Sequence, residues 1–375
     1  MAAPRPLTVV QLLPALEGGG VERSTLEMAD ALAAAGHRSI VVSAGGRLVD
    51  PLVAAGSTHV ALPLGSKRLA VLASVPKLRR LLETERPDIV HARSRLPAWI
   101  GRFALRAVRG PAPHWVTTVH GLNSPGCYSG VMASGERVIC VSDCVRTHVL
   151  RHWPRTDPAR LRVIPRGVDP DAFPHGHRPD AAWRAGFARR HPGLAGRPLL
   201  LLPGRGTRIK GHADAVRALA LLATRHGTEA GLYLPGAREA GREAYVAEVE
   251  ALAASLGVGA RVVFDPPRSD LREVYGASAC VLQVSTKPEA FGRTAVEALS
   301  IGVPVAGYAH GGIGDILRAA FPDGAVPPGD VDALADRIAR FLRDPPALPP
   351  LRGFDLAHMQ ADTLALYAEL AGGAP

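Results

Sequence analysis

Lysine is scarce in this chain. Of its 375 residues, 44 are Lys or Arg, yet only Lys67, Lys77, Lys210 and Lys287 are lysines. Arginine is the default cation, so a lysine in a glycine loop is a chemical choice. Aromatic residues are also few, at 5%. No stretch interleaves them with basic residues, and no nucleic-acid motif occurs. Nucleic acid is therefore not the expected partner, despite a net charge of +10. The four cysteines, Cys127, Cys140, Cys144 and Cys280, lack zinc-type spacing and are too few for a disulfide scaffold. They read as reduced thiols of a cytoplasmic protein. No run of about 18 apolar residues exists, so no spanning helix is expected. The apolar N-terminal run is broken by Thr8, Gln11 and Pro14, which argues against a secretory leader. No internal repeat is visible, and the P-loop pattern is missing.

What is present can build a core: 47% of residues are hydrophobic and 21% charged. The length suits two lobes of ordinary size. The charge is uneven. Residues 1–172 carry 22 basic and 13 acidic side chains, a net +9, whereas the rest of the chain nets +1. The first half is expected to meet something anionic, such as a lipid surface or a charged glycan.

Short apolar runs alternate with helix-period segments, the mark of a parallel sheet with crossover helices. Leu7–Leu13 reads as a buried strand that runs into Gly18-Gly19-Gly20, and helical spacing follows over Val21–Ala34. Further strands are expected at Ser39–Ser43, Ile89-Val90, His114–Val119, Arg137–Val141 and Leu161–Ile164. The region near residues 170–197, which opens with the Pro- and His-rich stretch Asp169–Arg178 and closes with Pro192-Gly193 and Gly196, reads as a linker. Alternation restarts at Leu199–Leu202, with later strands at Gly231–Leu234, Arg261–Phe264, Cys280–Val284 and Val303–Val305. The expectation is two Rossmann-like α/β domains facing a central cleft. One spans 1–172 and is completed by 355–375; the other spans 173–354. Ligands of such folds sit at the carboxyl ends of the strands.

Three segments carry chemistry. In Gly204-Arg205-Gly206-Thr207-Arg208-Ile209-Lys210-Gly211, a strand enters a glycine loop with two fixed cations, a setting suited to a diphosphate. A solvated basic loop is the bland alternative. In the segment Ser285–Leu299, a strand ends in Lys287-Pro288-Glu289 and a helix begins near Ala290-Phe291-Gly292, its amides free for an anion. Glu289 and Glu297 beside such a helix end need hydroxyl donors, and sugar or ribose hydroxyls would serve; Glu297 otherwise reads as solvated or capping. Third, His120-Gly121 closes a strand and presents an imidazole, and His91 and Arg93 follow another strand. Asp169-Pro170-Asp171 formally fits a metal-binding D-x-D pattern, but it reads as a turn, and no metal site is expected.

Together these segments resemble the GT-B glycosyltransferases of family 4. The features stand in family order: Gly19-Gly20 after the first strand, His120 closing a strand, Val163–Asp169 as V-I-P-x-G-V-D, Gly204–Gly211 as G-R-x4-K-G, Glu289 to Glu297 as E-x7-E, and Gly302–Val305 as G-x-P-V. Arg166 departs from the asparagine of many members. His91–Trp99, Pro165–Gly167 and Lys287–Thr294 look closest to bacterial members acting on lipopolysaccharide or related envelope glycans. Phe354–Leu370 resembles the terminal helix that crosses back to the N-domain.

The resemblance implies a retaining, metal-independent transfer from a nucleotide sugar, with no bound cofactor. Arg205 and Lys210 would neutralise the departing diphosphate, together with amides near Phe291 and Gly292, and Gly19, Gly20 and Ala290 would also bind the donor. Glu289 would hold the sugar hydroxyls, Glu297 the ribose, and His120 would contact the sugar. The acceptor, an anionic glycan or a lipid-linked one, would meet His91, Arg93 and Arg166. A nucleotide-sugar epimerase and a catalytically silent glycan-binding relative are the alternatives. The segment Ser66–Glu83 reads as an amphipathic helix whose Lys67, Arg68, Lys77, Arg79 and Arg80 would dock on the inner face of the membrane.

Overall fold

The computed structural model describes residues 5–65 and 69–372. It divides into two compact units, Met1–Arg166 with Leu356–Pro375, and Gly167–Asp355. The division falls after Arg166 because Val168 already pairs with the end of the second unit. Its N–H donates to the Phe354 carbonyl at 2.9 Å, and it bridges to Asp355.

The first unit is a seven-stranded parallel sheet. Its strands are β1 (Thr8–Leu12), β2 (Arg38–Ser43), β3 (Thr58–Ala61), β4 (Ile89–Ala92), β5 (His114–Val119), β6 (Arg137–Cys140) and β7 (Leu161–Val163). They lie in the order β3-β2-β1-β4-β5-β6-β7. The sequence reading omits β3. That strand sits at the sheet edge, none of its residues is fully buried, and it lacks the apolar run that marks the others. The helix Leu356–Leu370 belongs to this unit. Its Met359, Leu366 and Tyr367 are buried in one cluster with Leu7, Val9, Met28, Leu32, Ile89, Val116, Ile139 and Ile164. Each such side chain contributes about 1.5–3 kcal/mol of hydrophobic stabilisation.

The helix expected from Ser66 begins only at Ser74, after a 3-10 turn over Leu69–Ala73, and runs to Glu85. Pro76 stands in its first turn, where the missing N–H costs nothing. Arg79 is paired with Glu83 in this helix rather than left as a bare cation. Ser66, Lys67 and Arg68 lie outside the described residues. Among the described residues no helix is long and apolar enough to cross a membrane.

The second unit holds β8 (Leu199–Leu201), β9 (Gly231–Pro235), β10 (Val262–Asp265), β11 (Cys280–Gln283), β12 (Val305–Tyr308) and β13 (Ala325-Val326). All are parallel neighbours, in the order β10-β9-β8-β11-β12-β13. The sequence reading misses the two-residue edge strand β13 and sets β12 two residues early. Pro304 has no N–H to give the ladder, and pairing with β11 begins at Val305.

Both units reverse their strand order once, between β1 and β4 in the first and between β8 and β11 in the second. At such a switch the loops leaving adjacent strands diverge and open a crevice. The Gly18–Gly20 loop leaves β1, the Gly204–Gly211 loop β8 and the Ser285–Gly292 loop β11, whereas His120 follows β5.

Candidate active site

In the second unit, β8 runs into the Gly204–Gly211 loop and β11 into the Ser285–Gly292 loop. The two loops touch through main chain, Thr286 N–H donating to the Ile209 carbonyl at 2.8 Å. Gly211 has φ +75°, and a Cβ there would lie 1.9 Å from the Val284 carbonyl oxygen, so only glycine permits this approach. Lys210 and Glu289, 79 positions apart, are thereby joined: Nζ lies 2.6 Å from Oε1. Ser285 Oγ donates to the same carboxylate oxygen. Arg205 is exposed on the loop.

The Glu289 loop is held from behind by a helix that begins at Gly311. Gly312 N–H donates to the Glu289 carbonyl at 2.7 Å. A Cβ on Gly312 would meet Ala290 and Phe291 main chain at 2.5 Å. His310 Nε2 lies 2.7 Å from the Ser285 carbonyl oxygen. Gly292, at φ +132°, precedes the helix Arg293–Ile301, whose first turn carries no side-chain cap. The first turn of a helix carries partial positive charge, which favours an anion at this end.

Glu297 lies about one turn along that helix and is buried. Tyr275 Oη donates to its Oε2 at 2.8 Å, and Arg293 Nε to its Oε1 at 3.2 Å. Burial, reinforced by the Glu297 charge, holds the Tyr275 hydroxyl well above its usual pKa. This hydroxyl therefore remains a donor. The solvated reading of Glu297 is thus corrected: its carboxylate is oriented by two partners. The sequence reading missed Tyr275, Ser285 and the bracing role of His310-Gly311-Gly312. An isolated Tyr or Ser gives no local signal of a partner on another element.

His212 opens the helix after Gly211, fully buried and edge-on to the Tyr245 ring at 5.9 Å. Burial, aided by the Lys210 charge, pushes its pKa from 6.5 down to about 4. The folded pKa is lowered, so the unfolded chain takes up the proton first as pH falls below 6.5. Stability is then lost progressively until about pH 4. His212→Leu should shrink the loss of urea-unfolding free energy between pH 7 and pH 4.5 by about 2–3 kcal/mol. An unchanged acid limb would refute this.

In the first unit, the exposed Gly19 and Gly20 open the helix Gly20–Ala34, which has no side-chain N-cap. Ser24, one turn in, accepts from Arg166 Nη1 at 2.7 Å and from Arg93 Nη1 at 3.4 Å. Arg93 Nε also donates to Gln11 Oε1 at 2.7 Å. Arg166 Nη2 lies 2.8 Å from His120 Nδ1 and 3.3 Å from Nε2. An atom that close to both ring nitrogens sits over the ring face, not along an in-plane lone pair. Burial and the Arg166 and Arg93 charges hold the His120 pKa well below 6.5, so the ring stays neutral.

The expected acceptor residues need correction. His91 is fully buried, with Nδ1 2.6 Å from Tyr367 Oη and Nε2 2.6 Å from Thr118 Oγ1. Both ring nitrogens are used, and the residue ties the terminal helix to the sheet. Arg93 and Arg166 are buried as well and brace the helix behind the glycine loop. The D-x-D string is a turn, with Asp171 N–H donating to Asp169 Oδ1 at 2.9 Å. Among the described residues, no group of three or more His, Cys, Asp or Glu could hold a metal ion.

Residues 18–172 match the family described as Glycosyltransferase Family 4, and residues 187–352 match Glycosyl transferases group 1. The chain belongs to glycosyltransferase family 4. A D-inositol 3-phosphate glycosyltransferase of Acidothermus cellulolyticus is 31% identical to this family 4 chain over 270 residues, 66% of this chain and 58% of the relative. The chain spans about half to two thirds of the length of the curated relatives it matches. Among solved structures, a glycosyltransferase from Rickettsia africae superposes with a TM-score of 0.82 at 27% identity, covering 98% of this chain and 100% of the other. Anabaena HepE, in complex with UDP and glucose, has a TM-score of 0.79 at 20% identity, covering 97% and 100%. At that identity it shares the GT-B fold with this family 4 member.

Proposed function

We propose that the chain transfers a sugar, with retention and without a metal ion, from a nucleotide-sugar donor to a hydroxyl-bearing anionic acceptor. The observation that carries this reading is the meeting of Lys210 and Glu289 at 2.6 Å at the second switch point, beside exposed Arg205 and an uncapped helix end. Cations and amides there suit a diphosphate, and a neighbouring carboxylate suits sugar hydroxyls. Glu297, oriented by Tyr275 and Arg293, would accept from the ribose. His120 would meet the sugar as a neutral ring. The UDP and glucose complex of HepE supports a nucleotide-sugar donor.

In the reaction the bond from the anomeric carbon to phosphate oxygen breaks, and the nucleoside diphosphate leaves with the electron pair. Arg205, Lys210 and the helix amides stabilise that charge. The acceptor oxygen bonds to the anomeric carbon from the same face, and its proton passes to the leaving phosphate. No side chain is needed as a general base.

The relatives' printed name makes a phosphorylated polyol an acceptor candidate beside the envelope glycans suggested by sequence. Both offer a hydroxyl near negative charge, in keeping with the net +9 of residues 1–172. The test is a panel of uridine, guanosine and adenosine diphosphate sugars, each with an inositol phosphate or a lipopolysaccharide-core oligosaccharide, in EDTA. Acceptor-dependent release of nucleoside diphosphate is expected, and the product should keep the donor's anomeric configuration by NMR. An inverted product, or metal-dependent turnover, would overturn the mechanism. Epimerised nucleotide sugar without acceptor would point to an epimerase. Donor binding without turnover would point to a silent glycan binder.

A further inference from the structure

Lys210 is already engaged by Glu289, and a diphosphate in this loop would compete for the same ammonium. Its Nζ is 2.6 Å from Glu289 Oε1, a close charge-assisted contact. The lysine stem lies along Gly204, where an added Cβ would come within 3.4 Å of its Cδ and Cε. The carboxylate side is also held. Ser285 Oγ donates to the same oxygen, and the Glu289 main chain is pinned by Gly312 N–H at 2.7 Å. The pair is about a quarter exposed, 26% for Lys210 and 23% for Glu289, so an anion can reach it from solvent.

We infer that Glu289 is the internal counterion of Lys210 in the donor-free site, and that the diphosphate of the donor displaces it. This rests on the donor reading proposed above. A diphosphate brings more charge than one carboxylate and takes the ammonium. Glu289, still held by Ser285, is then released to accept hydrogen bonds from the sugar hydroxyls. One exchange thus couples capture of the leaving group to positioning of the sugar. The coupling has a cost: part of the diphosphate's binding energy goes into breaking the resident pair.

The consequence is opposite in sign to that of an ordinary contact residue. Glu289→Gln keeps the shape but removes the counterion. A nucleoside diphosphate, which has no sugar, should bind this variant about three- to tenfold tighter than the parent, while sugar transfer falls. The gain should vanish in a Lys210→Met background, where Lys210→Met and the double variant should bind alike. Isothermal titration with UDP, GDP and ADP against the four proteins measures this, and thermal melts verify that each is folded. Unchanged or weaker binding by folded Glu289→Gln would overturn the exchange while leaving the donor site standing. Tightening that persists without Lys210 would also overturn it, because it would be generic relief of repulsion. If none of the three nucleotides bound any of the proteins, the donor reading and the exchange would fall together.

Discussion

Replacing Lys210 or Arg205 with alanine should lower kcat by about thirty- to a thousandfold while the protein stays folded. The lost contribution is a cation facing charge that develops on the departing diphosphate, worth about 2–4 kcal/mol in the transition state. Stability should change little. Arg205 is exposed, and the Lys210–Glu289 pair is partly solvated, where ion pairs contribute about 1 kcal/mol or less. Steady-state kinetics beside thermal melts separate the two effects. Near-normal kcat in both folded variants would remove the diphosphate from this loop.

The two glutamates should fail differently. Glu289→Ala should reduce kcat by about a hundredfold or more, because its carboxylate is proposed to hold the sugar at the reacting carbon. Glu297→Gln should raise the donor KM by about tenfold, with kcat within about threefold, since one charge-assisted contact to ribose is worth about 1.5 kcal/mol or more. Glutamine is the better probe at Glu297 because the residue is buried and accepts from Tyr275. Alanine would strand that hydroxyl at a stability cost of about 1–3 kcal/mol and blur the result. A Glu297→Gln enzyme with lowered kcat and unchanged donor KM would contradict this division of roles.

Local pattern was enough for much of this protein. Apolar runs bounded by glycine located β1, β8 and β11 within a residue or two. Alternation with helix-period segments implied two parallel α/β units. The reason is physical: a buried parallel strand needs a continuous apolar run, and a loop crowded against another backbone needs glycine. The same locality exposed Arg205, Lys210, Glu289 and Glu297 as candidates, because each lies in or beside a loop whose spacing is short and regular. Edge strands such as β3 and β13 escaped because half-exposed or two-residue strands carry no such run.

Other features depend on partners far away in the chain, and no short window contains them. His91 looked like a ligand at a strand end until Tyr367, 276 residues on, took one of its nitrogens. Arg93 and Arg166 looked like acceptor cations but converge on Ser24 behind the glycine loop. Tyr275 carried no signal, yet it orients Glu297. Lys210 and Glu289 were each legible alone, but not as a pair, since their contact exists only because β8 and β11 are neighbours in the folded sheet. Periodicity determines which residues face inward or stand at a loop. Which polar groups satisfy one another there is set by tertiary packing, because a buried polar atom takes whichever partner the folded chain brings within reach.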